Sequence, residues 1–296
     1  MYPGTFEYFD ADSVDEAIDL LNDHRESDTE LLAGGHSLIP TMKTGLATPD
    51  VVIDINDIDE LTGVDITDGT TTIGAMTRYR QVASSSDVQE NVPVVSEAAS
   101  EIADLQVRNM GTIGGNIAHS DPSSDLPAAV LAADATIIAM GPDGERSIPV
   151  DDFFEGMYST ALADEEILTR IKLPNLGSDD SGVYVKKPHP GSGYATIGVA
   201  AVLSIDGSEI QSARIATNGF IDHALRLENV ESELEGEMIG DDRIEDASEQ
   251  AGTDIPVEHI MDDTHASRDF RRQLLQEKTK DALRAAANEI DEGARQ

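Results

Sequence analysis

Three glycines within five residues, Gly111, Gly114 and Gly115, restrict this chain more than any other feature. They lie in the run Arg108-Asn109-Met110-Gly111-Thr112-Ile113-Gly114-Gly115-Asn116, among the hydrogen-bonding side chains Thr112 and Asn116. Glycine takes positive φ and lets another molecule approach the main chain. A row of N–H groups turned the same way makes a concave anion site. One such run reads first as a tight loop between two elements. A second one, Ala33-Gly34-Gly35-His36-Ser37-Leu38, moves the reading towards a shared ligand. No P-loop sequence occurs, and Gly191-Ser192-Gly193 has Thr196 where a dinucleotide fingerprint needs its third glycine. A classical nucleotide fold is therefore not supported.

The placement of acid points the same way. Asp and Glu make up 58 of 296 residues, and the net charge is −38. Such a charge repels itself, and salt relieves the repulsion by shortening the Debye length to about 3 Å at 1 M. Arginine supplies 14 of the 20 basic residues. Together these read as a halophilic protein in a salt-rich cytoplasm. Hydrophobic residues at 39%, in periodic patterns, speak against an acidic disordered chain. Yet Leu31–Pro49, Gly69–Ser86, Leu105–Ser120 and Ser181–Ile205 contain no Asp or Glu. Buried strands explain part of this. The windows also hold Lys43, Arg78, Arg80, Arg108, Lys186 and Lys187, with His36, His119 and His189. A chain this acidic must clear carboxylates from wherever it binds an anion. Three of these windows are expected to converge on a phosphate-bearing ligand.

Other classes are set aside quickly. No basic stripe is present to neutralise nucleic acid. No apolar run approaches the ~20 residues of a transmembrane span, and Phe6, Glu7, Asp10 and Asp12 stand where a signal peptide would be apolar. The expectation is a cytoplasmic protein. With no cysteine there is no thiolate metal site or cysteine-ligated cluster in this chain. There is no His-Glu-x-x-His motif, and His36 and His119 read as loop histidines before they read as ligands.

Along the chain, Ser13-Val14-Asp15-Glu16 forms a capping box, and Val14, Ala17, Ile18 and Leu21 follow at helical spacing. A strand at Leu31–Ala33 enters the first glycine turn, and Val51–Ile55 alternates as another. These make a small α/β unit of residues 1–55. Residues 56–176 place a strand at Thr71–Ala75 and one helix over Val94–Val107. A helix from Asp125 through Leu131 follows, then strands at Ala135–Met140, Ser147–Val150 and Ile167–Leu173. Gly177–Gly182 is the clearest linker. Residues 177–296 then place strands at Val183–Lys186, Gly198–Ile205 and Ala213–Thr217 ahead of an acidic helical region ending in Arg271–Ile290.

The two glycine turns, with Gln106-Val107 ahead of the second and Asp121-Pro122-Ser123-Ser124-Asp125 after it, resemble a known family. It is that of the flavin-binding medium subunits of molybdenum hydroxylases, the xanthine dehydrogenase family, in particular the carbon-monoxide dehydrogenase type. The resemblance runs from Pro3-Gly4-Thr5-Phe6 to the last helix, more loosely in the final third. It implies an α+β fold: a two-subdomain FAD-binding domain of the vanillyl-alcohol-oxidase/PCMH type over 1–55 and 56–176, then a small C-terminal domain of antiparallel sheet and helices over 177–296.

The resemblance also implies a site. Ala33, Gly34, Gly35, His36, Ser37 and Leu38, with Gly111, Thr112, Ile113, Gly114, Gly115 and Asn116, would cradle the FAD diphosphate. Asp125 would reach the flavin or its ribityl hydroxyls, cap a helix beside Pro127, or both. Lys186 would stand near the flavin, where positive charge favours an anionic reduced form; Lys187 next door leaves the register open. Tyr194 would cover the ring as a lid after Gly191 and Gly193, or simply pack. Ala75-Met76-Thr77 is a weaker flavin contact. The stretch Lys187-Pro188-His189-Pro190-Gly191 is unusually rich in proline for such a lid.

The function implied is an electron-exit subunit, with no catalytic side chain and no metal ligand of its own. Electrons would come from iron–sulfur clusters of a partner and leave through flavin to an external acceptor. The partners implied are a large subunit with the molybdenum cofactor and a small subunit with 2Fe-2S clusters, as a dimer of heterotrimers. Two other readings stay open: a stand-alone flavoprotein oxidase or dehydrogenase, and a flavin-binding assembly subunit without turnover.

Overall fold

The computed structural model describes residues 2–293, apart from the side chains beyond Ile290. Three sheets follow one another along the chain. Strands β1 (Glu7–Asp10), β2 (Thr29–Leu32) and β3 (Val51–Asp54) form the first, in the order β1-β3-β2 and all parallel. Parallel strands need crossovers. Helix α1 (Val14–Asp23) supplies one and buries Val14, Ala17, Ile18 and Leu21 against the sheet. Ser13 caps it at the Glu16 N–H, while the Glu16 carboxylate reaches the Asp12 N–H, one residue earlier than in a capping box. Helix α2 (Leu38–Thr44) begins at the end of the first glycine turn and lies in the second crossover.

The second sheet is antiparallel throughout. It comprises β4 (Val64–Thr67), β5 (Thr70–Gly74), β6 (Thr136–Gly141), β7 (Gly144–Pro149) and, beyond the ribbon β8 (Phe154–Gly156) and β9 (Ser159–Thr160), β10 (Ile167–Pro174). Their order is β4-β5-β10-β6-β7. Between β5 and β6 run six helices: α3 (Tyr79–Ser84), α4 (Ser86–Asn91), α5 (Pro93–Glu101), α6 (Leu105–Met110), α7 (Ile113–His119) and α8 (Asp125–Ala132). They close over a core that includes Ile73, Val95, Ala99, Ile117, Leu126 and Ile137.

The single helix expected over Val94–Val107 is in fact two, α5 and α6. The apolar spacing is unbroken, but Asp104 accepts from the Gln106 and Val107 N–H groups, both at 2.9 Å, and so starts a new helix. Ala103 bends the chain at φ +40, a region that L-residues rarely adopt. Arg108 holds the bend by donating to the carbonyls of Ser100, Ile102 and Ala103 at 2.9, 2.7 and 3.1 Å.

The third sheet, β11 (Asp180–Pro188), β12 (Ala195–Asp206), β13 (Glu209–Asn218) and β14 (Leu225–Arg226), is antiparallel in chain order. Helices α9 (Glu228–Leu234), α10 (Asp241–Glu249) and α11 (Arg268–Gly293) complete this part. Alternate residues face opposite layers. Val199, Leu203 and Ile215 pack with Leu275, Leu283 and Ala286 of α11. Tyr184, Ala200 and Ala216 face the other way, into the core of α5 and α8. The expected linker at Gly177–Gly182 is shorter than read, because Asp180 already opens β11.

Candidate functional site

The two glycine turns abut. A Cβ on Gly34 would fall 2.6 Å from the Met110 carbonyl oxygen and 2.7 Å from Gly111 Cα. One on Gly115 would fall 3.3 Å from Ala33 Cβ. Glycine at 34 is thus required by the approach of one main chain to the other. A polar strap crosses the seam. Asn56 donates to the Ala33 carbonyl at 2.8 Å, and its own Oδ1 accepts from Arg78 at 2.8 Å. The same guanidinium donates to the Met110 carbonyl.

The turns use their main chains differently. No N–H from Ala33 to Ser37 donates to a protein acceptor among the described residues. His36 is exposed and its neighbours are half-buried. In the second run nearly every amide is taken. Gly111 donates to Val107 at 2.8 Å, Ile113 to Thr77 at 3.0 Å, Gly114 to Ala75 at 2.8 Å and Asn116 to Thr112 at 3.1 Å. Gly115 donates to the Thr112 hydroxyl at 3.2 Å. Only the Thr112 N–H has no acceptor among the described residues. In place of a second row of free amides there is a helix start, capped by Thr112. Its glycines serve close packing: a Cβ on Gly114 would fall 2.4 Å from that of Ala75, and one on Gly111 2.2 Å from the Tyr79 ring. Ala75-Met76-Thr77 lies buried beneath and supplies two of the accepting carbonyls.

Asn116 leads from this turn towards Asp125. Its amide donates to the Tyr79 hydroxyl at 3.0 Å, and its Oδ1 accepts from the Ser124 hydroxyl at 2.8 Å. Asp125 is the first residue of α8 and Ser124 occupies the cap position, so the capping role considered for Asp125 is not the one it takes. Its carboxylate is buried and accepts from the Tyr184 hydroxyl at 2.6 Å and the Lys186 ammonium at 3.0 Å. Tyr184 and Lys186 are two apart on β11, so the pleat puts both on one face and Lys187 on the other. Of the two lysines, Lys186 is the one that pairs with Asp125. Lys186 also donates to the Glu101 carbonyl at 2.6 Å and that of Gly193 at 3.2 Å, giving its three protons three acceptors. Its side chain is 3% exposed, and its charge is shared with Asp125. Burial pushes the Asp125 carboxyl up to about 6, against the pull of Lys186 and Tyr184. Burial beside that carboxylate pushes the Tyr184 phenol well above its ordinary value.

Tyr194 lies on the loop between β11 and β12, beside an open cleft of about 300 Å³ that Met157, Tyr158 and His189 also line. It is 44% exposed. Its partial burial, with Asp121, Tyr158 and Asp125 nearby, raises its phenol. The His119 ring stands 4.9 Å from that of Tyr158, and burial lowers its pKa. No group of three or more His, Cys, Asp or Glu side chains among the described residues could hold a metal ion. No helix among them is long and apolar enough to cross a membrane.

Asn56, Arg78, Tyr79 and Tyr184 were not among the expected site residues. Arg78 stood in an acid-free window, and Tyr184 shares the strand parity of Lys186. Nothing local marks the role of Asn56 or Tyr79, because the partners that bring them to the seam, Ala33, Arg78 and Asn116, are more than twenty residues away along the chain.

Residues 4–176 match the family described as the FAD binding domain in molybdopterin dehydrogenase, and residues 183–286 the CO dehydrogenase flavoprotein C-terminal domain. The chain is 39% identical to the carbon monoxide dehydrogenase medium chain of Hydrogenophaga pseudoflava, over 97% of this chain and 98% of that one. It is 36% identical to the glyceraldehyde dehydrogenase medium chain of Sulfolobus acidocaldarius, over 97% and 100%. A solved structure of carbon monoxide dehydrogenase from Hydrogenophaga pseudoflava contains a chain with the same fold, at TM-score 0.92, 39% identity and coverage of 97% and 99%.

Proposed function

The chain belongs to the family of FAD-binding medium subunits of molybdenum hydroxylases, and we propose that its Ala33–Ser37 turn is what holds the cofactor's diphosphate. It is an electron-transfer subunit of an oxidoreductase complex. The observation that carries the phosphate reading is the row of N–H groups in that turn with no protein acceptor. They lie in a stretch free of carboxylates, Leu31–Pro49. Backbone amides solvate a dianion without a lysine, which suits a chain with only 6 lysines. The residues present therefore fit the group.

Bound FAD supplies a junction between one-electron and two-electron transfer. The chain's own residues divide the remaining work. The second turn, Gly111 to Asn116, backs the first and orients the Asn116 amide through Tyr79 and Ser124. Asp125 and Lys186 present a buried, paired polar floor, and Tyr194 covers the site from the β11–β12 loop. The cofactor-holding part is residues 1–55 with 56–176, and residues 177–296 form the C-terminal domain. The molybdenum cofactor and the 2Fe-2S clusters belong to a large and a small partner subunit, since this chain has no cysteine to ligate a cluster. The assembly is a heterotrimer, doubled, working in a salt-rich cytoplasm.

The test is flavin retention by the full-length chain purified with its partner subunits in high salt and FAD. Ser37→Asp sets a carboxylate against the free amides without changing a glycine. It should lose the flavin absorbance that wild type keeps, while the flavin-free forms of the two match in circular dichroism and melting temperature. Wild-type flavin content in Ser37→Asp would sink the reading.

A further inference from the structure

The loop from Pro188 to Ala195 joins β11 to β12 and carries Tyr194. Pro188 pairs with Ala195 after a register shift and ends the ladder, since neither it nor Pro190 has an N–H to donate. His189 takes the ladder's place. Its N–H donates to the Tyr194 carbonyl at 2.7 Å, and its carbonyl accepts from the Gly193 N–H at 2.9 Å. Its ring Nδ1 faces the N–H groups of Gly191 and Ser192, both at 3.2 Å, and the Ser192 hydroxyl at 3.1 Å. Two amide donors aimed at one ring nitrogen require it to be bare, so the ring proton sits on Nε2. The ring stands edge-on to that of His265, with centroids 4.4 Å apart, and thereby leans on the segment ahead of α11. Two tethers from outside fix the ends of the loop: Lys186 to the Gly193 carbonyl, and the Ala195 N–H to the Ser123 carbonyl at 3.1 Å.

We propose that His189 is the positioning residue for Tyr194, its unprotonated Nδ1 gathering the loop's amides and so setting where the tyrosine ring stands. This rests on the reading of Tyr194 as the cover of the flavin site. Protonation turns the acceptor into a donor. The Ser192 hydroxyl can then accept, but the two amides are left facing another N–H. The other charged or titratable groups around the ring are His265, Lys187 on the same strand, and Asp121, Tyr158, Asp263 and Arg271 about the cleft. Asp125, whose carboxyl is raised to about 6, acts on the loop from its other end, through Lys186 and the Gly193 carbonyl.

The experiment is amide hydrogen exchange of residues 189–195 in the full-length chain in high salt at about pH 8, corrected for intrinsic rates. Wild type is compared with His189→Asn, His189→Gln and His265→Gln. Asparagine sets its amide oxygen where Nδ1 stands and bonds an N–H two residues on, whereas glutamine overshoots. Wild type and His189→Asn should protect the Gly191 and Ser192 amides, and His189→Gln should lose that protection by about tenfold or more as the two hydrogen bonds are lost, while His265→Gln stays protected. Equal protection of wild type and His189→Gln, or its loss in His189→Asn, would overturn the proposal. Flavin fluorescence separates the two layers of the argument. Tyr194→Leu should relieve quenching of bound FAD, and unchanged fluorescence would overturn Tyr194 as the cover, independently of the flavin-free exchange results.

Discussion

The two glycine turns look alike in composition and touch in space, yet they do opposite things. The first leaves its amides from Ala33 to Ser37 without protein acceptors among the described residues. The second gives its amides to Val107, Thr77, Ala75 and Thr112. Glycine in the first turn admits a neighbouring main chain and leaves amides open; glycine in the second lets a helix start pack on Ala75 and Tyr79. A glycine-rich run therefore marks close approach, and what approaches is decided by which acceptors the rest of the chain brings.

The sharpest way to break this contrast is to wedge the turns apart. Gly34→Val places side-chain atoms inside the Met110 carbonyl and should cost about 3 kcal/mol of stability as well as all flavin binding, read by urea denaturation and flavin content. Next comes a change confined to the second turn. Gly114→Ala should destabilise by about 2 kcal/mol through its clash with Ala75, while the molecules that remain folded bind FAD within a few-fold of wild type. An equal loss of affinity in Gly114→Ala and Ser37→Asp would erase the distinction. Cutting the strap is milder: Asn56→Ala removes hydrogen bonds to Ala33 and Arg78 and should cost about 1 kcal/mol, with a modest loss of FAD affinity measured by titration.

The smallest effect concerns the polar floor beside the second turn. Asp125 has a folded-state pKa raised from 3.8 to about 6. A carboxyl shifted upward favours the folded state while protonated, so its contribution is full below its unfolded value and fades as the pH rises through about 6. Difference infrared spectra between about pH 5 and about 8 should show a carboxylic-acid band that is missing in Asp125→Asn. Its absence from wild type would mean that Lys186 and Tyr184 outweigh burial.

Much of this was legible in the residues. Glycine spacing and the acid-free windows are local or compositional properties, and Asp125 and Lys186 were named by the resemblance to one family. Strand parity was legible too, and it places Tyr184 beside Lys186 once the strand is known. The helix break at Ala103 was also written in the sequence, as Asp104 two and three residues before Gln106's and Val107's amides, but the unbroken apolar spacing from Val94 masked it. Asn56 carried no such sign, because a single asparagine after a strand is ordinary until Arg78 and Ala33 meet around it.

By itself the chain determined where its backbone could bend closely, where carboxylates were kept away, and which segments would be helix or strand. Those follow from side-chain size, charge and periodicity. Tertiary structure alone decided which N–H groups stayed free, because an amide is claimed by whichever carbonyl folding brings to it. For Ile113 and Gly114 those carbonyls belong to Thr77 and Ala75; for Ala33 to Ser37 none arrives among the described residues.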